Sequence, residues 1–415
     1  MKIAVIGAGI IGVTTAYELA CDGHEVTVFE RRAAAAEEAS FANAGLVAPG
    51  YVTPWAAPGM PGKVIGHLLS HYAPVRVGWQ LSMRDMVWLW KWLRACNLET
   101  YLAHRTQLQR LAFYSRDRLH HITRHLSLEY ERSDGYMVLL RSEKDSKLVQ
   151  PGLQVLRDAG VSFKEISPTD ARKIEPALNP DTEFFGAVHL PDDEVGNCRQ
   201  FALLLKNTAQ RMGVDFLFNK EVTRVAAGAQ ISLAGESAAR SYDAVVMCAG
   251  LASARLLAPI GLKIPLTAVH GYSVSAAIRE PLNAPRSAIM DERYKVAISR
   301  LGNRVRVAGS AELGGAPNKM RAASLQTLYK VLQDWFPGAA NLSGGVQEWK
   351  GARPMLPDGP PMIGASGIAG LWLNLGHGSS GWALSCGSAR AVADLIADKA
   401  PELDVAGFKV DRRRT

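Results

Sequence analysis

Cysteine is scarce in this 415-residue chain: Cys21, Cys96, Cys198, Cys248 and Cys386 are scattered, and none stands in a CxxC pair. That pattern gives no zinc or iron–sulfur ligand set and fits thiols kept reduced in a cytoplasmic compartment. The ten histidines are dispersed as well; His120, His121 and His125 share one helical stretch without acid or thiol ligands beside them, so a solvated helix face is expected and no metal. Beyond the first twenty residues, no window offers the run of about eighteen apolar residues that a membrane-spanning helix needs. Acidic excess is missing too: 47 basic against 39 acidic residues leave a net charge of +8, open to nucleic acid, anionic lipid or an acidic substrate. No nucleic-acid motif accompanies it, so no nucleic acid is expected as a partner. With 48% hydrophobic and 21% charged residues, the composition is that of a globular protein large enough for two domains.

What is present is concentrated at the start. Lys2–Ile6 reads as a buried strand, Gly7-Ala8-Gly9-Ile10-Ile11-Gly12 as a glycine-rich turn, Ile10–Cys21 as a helix, and Glu25–Phe29 as a second strand ending in Glu30. Gly7 permits the sharp turn, Gly9 lets backbone approach a pyrophosphate, and Gly12 lets helix and strand pack closely. The helix N-terminus at Ile10 and Ile11 favours negative charge, and the Glu30 carboxylate can accept hydrogen bonds from ribose hydroxyls. This is the adenosine end of NAD or FAD. Glu30 would repel a 2′-phosphate, although Arg31 and Arg32 follow it directly. Lys2 before an apolar run imitates a signal peptide, but cleavage there would discard the motif, so the chain is expected in water or on a membrane surface.

Residues 37–61 read as an irregular loop, with Pro49, Pro54, Pro58 and Pro61 around Tyr51 and Trp55. Trp79, Trp88, Trp90 and Trp92 crowd one segment, interleaved with Arg84, Lys91 and Arg94. Such a segment suits either an interfacial contact on an anionic leaflet or packing inside the protein. A helical stripe over His104–Leu126 is expected in the core, with a strand at Tyr136–Leu140 and a helix over Ser146–Ala159. A helix from Asn197, a strand Val214–Phe218 and the buried run Tyr242–Gly250 extend a parallel sheet. From Pro265 to Val307 alternating runs, Tyr294–Ser299 among them, predict an antiparallel sheet, followed by a helix over Arg321–Phe336. The expected fold is α/β: a discontinuous Rossmann-like nucleotide-binding domain (1–85, 150–260, 350–415), FAD-binding on the resemblance described next, with an inserted β-rich (α+β) substrate domain (86–149, 261–349).

Several further segments are more specific than the glycine turn: SFANAG followed by PGYVTPWAAPG at 40–59, LPDDEVGNCRQF at 190–201, GYS at 271–273, DERYKVAISR at 291–300, GARPMLPDGPPMIG at 351–364 and LWLNLGHGSSGW at 371–382. On these the chain resembles the flavin amine oxidoreductases of the D-amino-acid oxidase, glycine oxidase and sarcosine oxidase kind, and within them the bacterial D-amino-acid dehydrogenases. The resemblance covers nearly the whole chain, departing at Ser379-Ser380 and Leu301-Gly302. It implies non-covalent FAD held by Ser40, Asn43, Ala44, Gly45 and Leu46, by Val222, Ala249 and Gly250 near the adenosine, and by Gly376, His377, Gly378, Ser379, Ser380, Gly381 and Trp382 at the flavin. It also implies a D-amino acid substrate and a quinone or other respiratory electron acceptor, the alternatives being an oxygen-using amine oxidase of the glycine or sarcosine type and a D-hydroxyproline dehydrogenase. A substrate carboxylate in a dry site calls for a bidentate cation, and the resemblance assigns that part to Arg353. Tyr294 could donate to the same carboxylate, and Tyr51 is a lid candidate. Hydride transfer from Cα needs positioning more than a base, so no general base is nominated.

Overall fold

The computed structural model describes residues 1–67, 72–78 and 80–412. The apolar run that opens the chain lies inside a six-stranded sheet, where both of its faces are covered. Lys2–Ile6 is parallel to Glu25–Phe29 on one side and to Ala244–Met247 on the other. Asp215–Leu217 and Leu371–Leu375 extend the sheet in parallel, and Met362–Ala365 closes one edge antiparallel. Alternation divides the strand residues between two cores. Ile3 and Val5 face a layer that includes the helices Ile10–Cys21, Cys198–Arg211 and Gly381–Ile396. Ala4 and Ile6 face Val222, Val225 and Ile231 of a small three-stranded sheet.

The alternating runs of the second half join strands from the first in a ten-stranded, mostly antiparallel sheet, in the order Gln347–Met355, Thr267–Ala277, Arg304–Leu313, Val296–Leu301, Ala288–Asp291, Ser133–Leu140, Gly186–Val195 and Leu46–Val47. Val75–Val77 and Lys164–Ile166 add to it from the side. The helix Ala322–Trp335 covers one face through Leu328, Val331 and Trp335, and the other face looks toward the six-stranded sheet.

The chain crosses between the sheets more often than a division at 86–149 and 261–349 implies. The helix Leu98–Leu126 buries Leu108, Leu111, Ala112, Leu119 and Ile122 in the same core as Ile3 and Val5, and Gly186–Val195 belongs to the ten-stranded sheet. Helix starts move outward where caps set them: Ser142 and Asp145 form a capping box that begins the helix Glu143–Asp158 three residues ahead of Ser146. The loop read over 37–61 is largely irregular but holds a single turn at Pro49–Tyr51 and the start of the helix Met60–His67. The tryptophan segment is the helix Met83–Ala95, whose Trp88 and Trp92 rings stack at 6.4 Å and are buried while Trp90 is 54% exposed. Trp79 lies outside the described residues.

Candidate active site

A cavity of about 1760 Å³ runs between the two sheets. It exceeds the ~300–1,000 Å³ of a pocket for one drug-sized ligand and suits a dinucleotide together with a substrate. Its first part is built by the opening βαβ unit. Gly7 turns with φ +102°, and the helix that follows starts at Gly9 with no side-chain cap. Gly9, Ile10 and Ile11 line the cavity, and Ser40 Oγ accepts from the Ile10 N–H at 3.1 Å. Glu30 lines it too, its carboxylate held by the N–H groups of Ala8 at 2.8 Å and Arg32 at 2.9 Å. Arg31 and Arg32 border the same part and pair with Glu38. Val222, Ala249 and Gly250 complete the wall. A helix N-terminus on the cavity wall beside a fixed carboxylate fits pyrophosphate and ribose. Gly12 is not on the wall: it lets the helix close onto Gly7, because a Cβ there would lie 1.8 Å from the Gly7 carbonyl oxygen.

The middle part is lined by Ser40, Asn43, Ala44 and Leu46 from one direction and by Gly376, His377, Gly378, Ser379, Ser380, Gly381 and Trp382 from another. Gly45 points away, with its carbonyl accepting from Trp382 Nε1 at 3.2 Å. His377 is buried against Ser388 Oγ at 3.0 Å, and burial pushes its imidazole down to about 3, so it stays neutral at working pH. Among the described residues no group of His, Cys, Asp and Glu could hold a metal.

The third part carries the charge. Arg353 lies on Gln347–Met355, opposite Val269 of Thr267–Ala277. Its Nη1 donates to the Ser310 carbonyl at 3.0 Å, and among the described residues no carboxylate pairs with it. Burial pushes the guanidinium down to about 10, still cationic at neutral pH. His270 and Tyr272, from the neighbouring strand, line the cavity beside it, and His270 Nδ1 is buried without a partner. Gly271 between them makes the space, since a Cβ there would come within 2.4–2.6 Å of the guanidinium atoms. Gly271→Ala should therefore displace the end of a flexible side chain while the fold survives. The expected result is a raised KM with unchanged thermal stability; a parental KM would place substrate away from Arg353.

Tyr51 lines the cavity as expected and donates to Glu292, with Lys295 Nζ donating to its oxygen at 3.0 Å. Tyr294 does not reach the cavity, which corrects its reading as a carboxylate donor. The turn at Lys295 (φ +51°) delays the strand to Val296, and the Tyr294 ring lies under Arg141 at 5.0 Å and Lys330 at 5.5 Å instead. Tyr272 and Glu292 on the wall carry no assignment from the sequence although GYS and DERYKVAISR contain them, and His270, expected as a structural residue, lines the cavity too.

Behind the turn that carries Tyr51, Asp193 accepts from the Gly50 N–H at 3.5 Å while its second oxygen has no partner. Burial pushes this carboxyl up to about 7 from a reference of 3.8. The folded state thus holds the proton more tightly, so Asp193 contributes stability that is complete below its unfolded pKa and is lost as pH rises through the folded one. Asp193→Asn should melt higher than the parent at pH 8 and show a flatter melting profile between about pH 4 and 7, the span from the unfolded to the folded pKa. An unaltered slope would remove Asp193 from that pH dependence.

A family model described as FAD dependent oxidoreductase (DAO) matches residues 2–395. The chain is 43% identical over 416 residues to a D-amino acid dehydrogenase of Bradyrhizobium diazoefficiens, with 99% of each covered. It is 41% identical to a D-amino acid dehydrogenase of Cereibacter sphaeroides, over 99% of this chain and 95% of that one. Similar solved structures include a glycine oxidase from Geobacillus kaustophilus (TM-score 0.78, 22% identity, 99% and 98% covered) and an L-proline dehydrogenase from P. horikoshii (TM-score 0.74, 18% identity, 100% and 97% covered). At these identities the structures establish the shared fold.

Proposed function

The chain belongs to the FAD dependent oxidoreductase (DAO) family, and from that premise we propose that it deaminates D-amino acids oxidatively to 2-oxo acids and ammonia, with electrons passing on to a quinone or other respiratory acceptor. The observation that carries this is Arg353, a cation with no carboxylate partner among the described residues, on the wall of a cavity large enough for a dinucleotide. FAD supplies the acceptor for the hydride that leaves Cα. Arg353 binds the α-carboxylate, and the apolar cluster of Val269, Met355 and Trp55 on the same cavity keeps water from it. Burial lowers both His270 and His377, so neither is charged at neutral pH and the amine enters by losing its proton to solvent. The D configuration rests on the two dehydrogenase relatives.

The test is the spectrum of the purified yellow protein on anaerobic addition of D- and L-amino acids. Bleaching by the D forms alone is expected, with FAD released into the supernatant on acid precipitation. Bleaching by L forms, or colour retained in the pellet, counts against the reading, and full turnover with oxygen and no gain from a quinone analogue would make the protein an oxidase.

Peripheral attachment to the cytoplasmic leaflet belongs to the same proposal. Among the described residues no helix is long and apolar enough to cross a membrane. Met83, Met86, Val87, Trp90 and Leu93 are 49–80% exposed on one helix, with the cations Arg84, Lys91 and Arg94 beside them. That is the composition of an interfacial helix on anionic lipid. Trp88 and Trp92 face inward, so the informative variant is Met83→Ser with Trp90→Ser, expected to lose co-sedimentation with anionic vesicles at low salt.

A further inference from the structure

Ser275, Arg306 and Ser299 stand in register across three adjacent strands of the ten-stranded sheet, with Arg306 in the middle. All three are at most 4% exposed. Val305 and Val307 on either side of Arg306 face the opposite core, whereas Ala297 and Ala308, the next pair along the same face, line the cavity. A buried polar row costs several kcal/mol unless it is bonded, and this row is bonded to one loop. Arg306 donates through Nε to Ser275 Oγ at 2.9 Å and through Nη1 to the Asn43 carbonyl at 3.0 Å. Ser299 Oγ donates to the Ala44 carbonyl at 2.8 Å. The Gly45 carbonyl accepts from the Gly196 N–H at 2.8 Å as well as from Trp382. Three successive carbonyls are thus drawn into the protein. The Gly45 N–H is taken by Asn43 Oδ1 at 3.0 Å, and the N–H groups of Asn43 and Ala44, both on the cavity wall, have no acceptor among the described residues. Arg306 itself forms no ion pair among the described residues; the groups it donates to are neutral, and the Glu131 carboxylate acts on it only at longer range.

We propose that Arg306 is a positioning residue for the cofactor, holding the Asn43–Gly45 loop so that its free N–H groups meet the flavin ring and lending a positive charge that favours the electron-rich, reduced ring. A fixed cation and oriented amides in a dry site stabilise negative charge far better than water does. Although burial pushes the guanidinium down to about 10, it remains charged at working pH. The inference rests on the FAD assignment and not on the choice of substrate, so its test needs no amino acid.

The probe is sulfite, whose adduct puts negative charge on the oxidised flavin, measured by titration of the holoprotein together with the flavin reduction potential. Losing one hydrogen bond to a charged group should weaken sulfite binding about tenfold in Arg306→Met and Arg306→Gln and lower the potential, with Arg306→Lys recovering part. Unchanged sulfite affinity and potential in either uncharged variant would overturn the proposal and leave Arg306 a strut of the sheet. If neither uncharged variant retains FAD, Arg306→Lys decides, because one ammonium cannot span both Ser275 and Asn43. It should then hold FAD more weakly and shift the flavin spectrum, and a Lys variant matching the parent in both overturns the proposal.

Discussion

Replacing Arg353 by Ala should lower kcat/KM for every amino-acid substrate by about thirtyfold or more while the protein stays folded and yellow. Truncating one partner of a buried, hydrogen-bonded charge pair costs about 2–5 kcal/mol, and each 1.36 kcal/mol is tenfold in rate. The effect falls on substrate because Arg353 spends only one hydrogen bond on the protein, to the Ser310 carbonyl, and pairs with no carboxylate among the described residues. A structural arginine would lose an ion pair on truncation; among the described residues this one has none to lose. Arg353→Lys keeps a charge but not the planar fork that meets both carboxylate oxygens, so it should recover little. Steady-state kinetics with flavin content measured on the same samples decides. Near-parental kcat/KM with lost flavin would move Arg353 from the substrate to the architecture.

The opening βαβ unit is legible because each of its signals is local: a short apolar run, glycine spacing and a terminal acid fall within thirty residues, and strand, helix and strand keep the expected limits. Arg353 is legible for a different reason, being a cation in a distinctive segment. What the sequence hides is the partner across space. The stripe over Leu108–Ile122 says which face of its helix is buried but not which sheet buries it, and that sheet is the nucleotide-binding one. Tyr294 misleads because a single residue with positive φ at Lys295 breaks the alternation before the strand begins. His270 and Tyr272 flank a register shift in their strand, so alternation carried through from either end does not tell which face each presents. The tryptophans could have been sorted. Trp88 and Trp92 are four apart on one helix face, and Met83, Met86, Val87, Trp90 and Leu93 follow the helical period around the other.

Gly12→Ala should abolish FAD binding and lower the melting temperature of the apoprotein as well. The added Cβ would sit 1.8 Å from the Gly7 carbonyl oxygen and 2.9 Å from its carbon, contacts with backbone that no rotamer can relieve. The helix Ile10–Cys21 would have to lift from the strand. It would pull with it the Thr14 bond to the Ser385 carbonyl and the Asn374 bond to Thr15, which tie this helix to the last helix and to the strand Leu371–Leu375. Overpacking of this kind costs about 1–3 kcal/mol, occasionally more, before any ligand is considered. Gly9→Ala is the informative companion. Its Cβ meets nothing closer than Ser40 Oγ at 3.5 Å, so the apoprotein should melt as the parent does, yet the methyl would stand where backbone must approach the pyrophosphate. Flavin content and apoprotein melting, measured on both variants, separate helix seating from phosphate access. A Gly12→Ala protein that purifies yellow with parental stability would show that the turn can open without cost, and would remove close helix packing as the reason for that glycine.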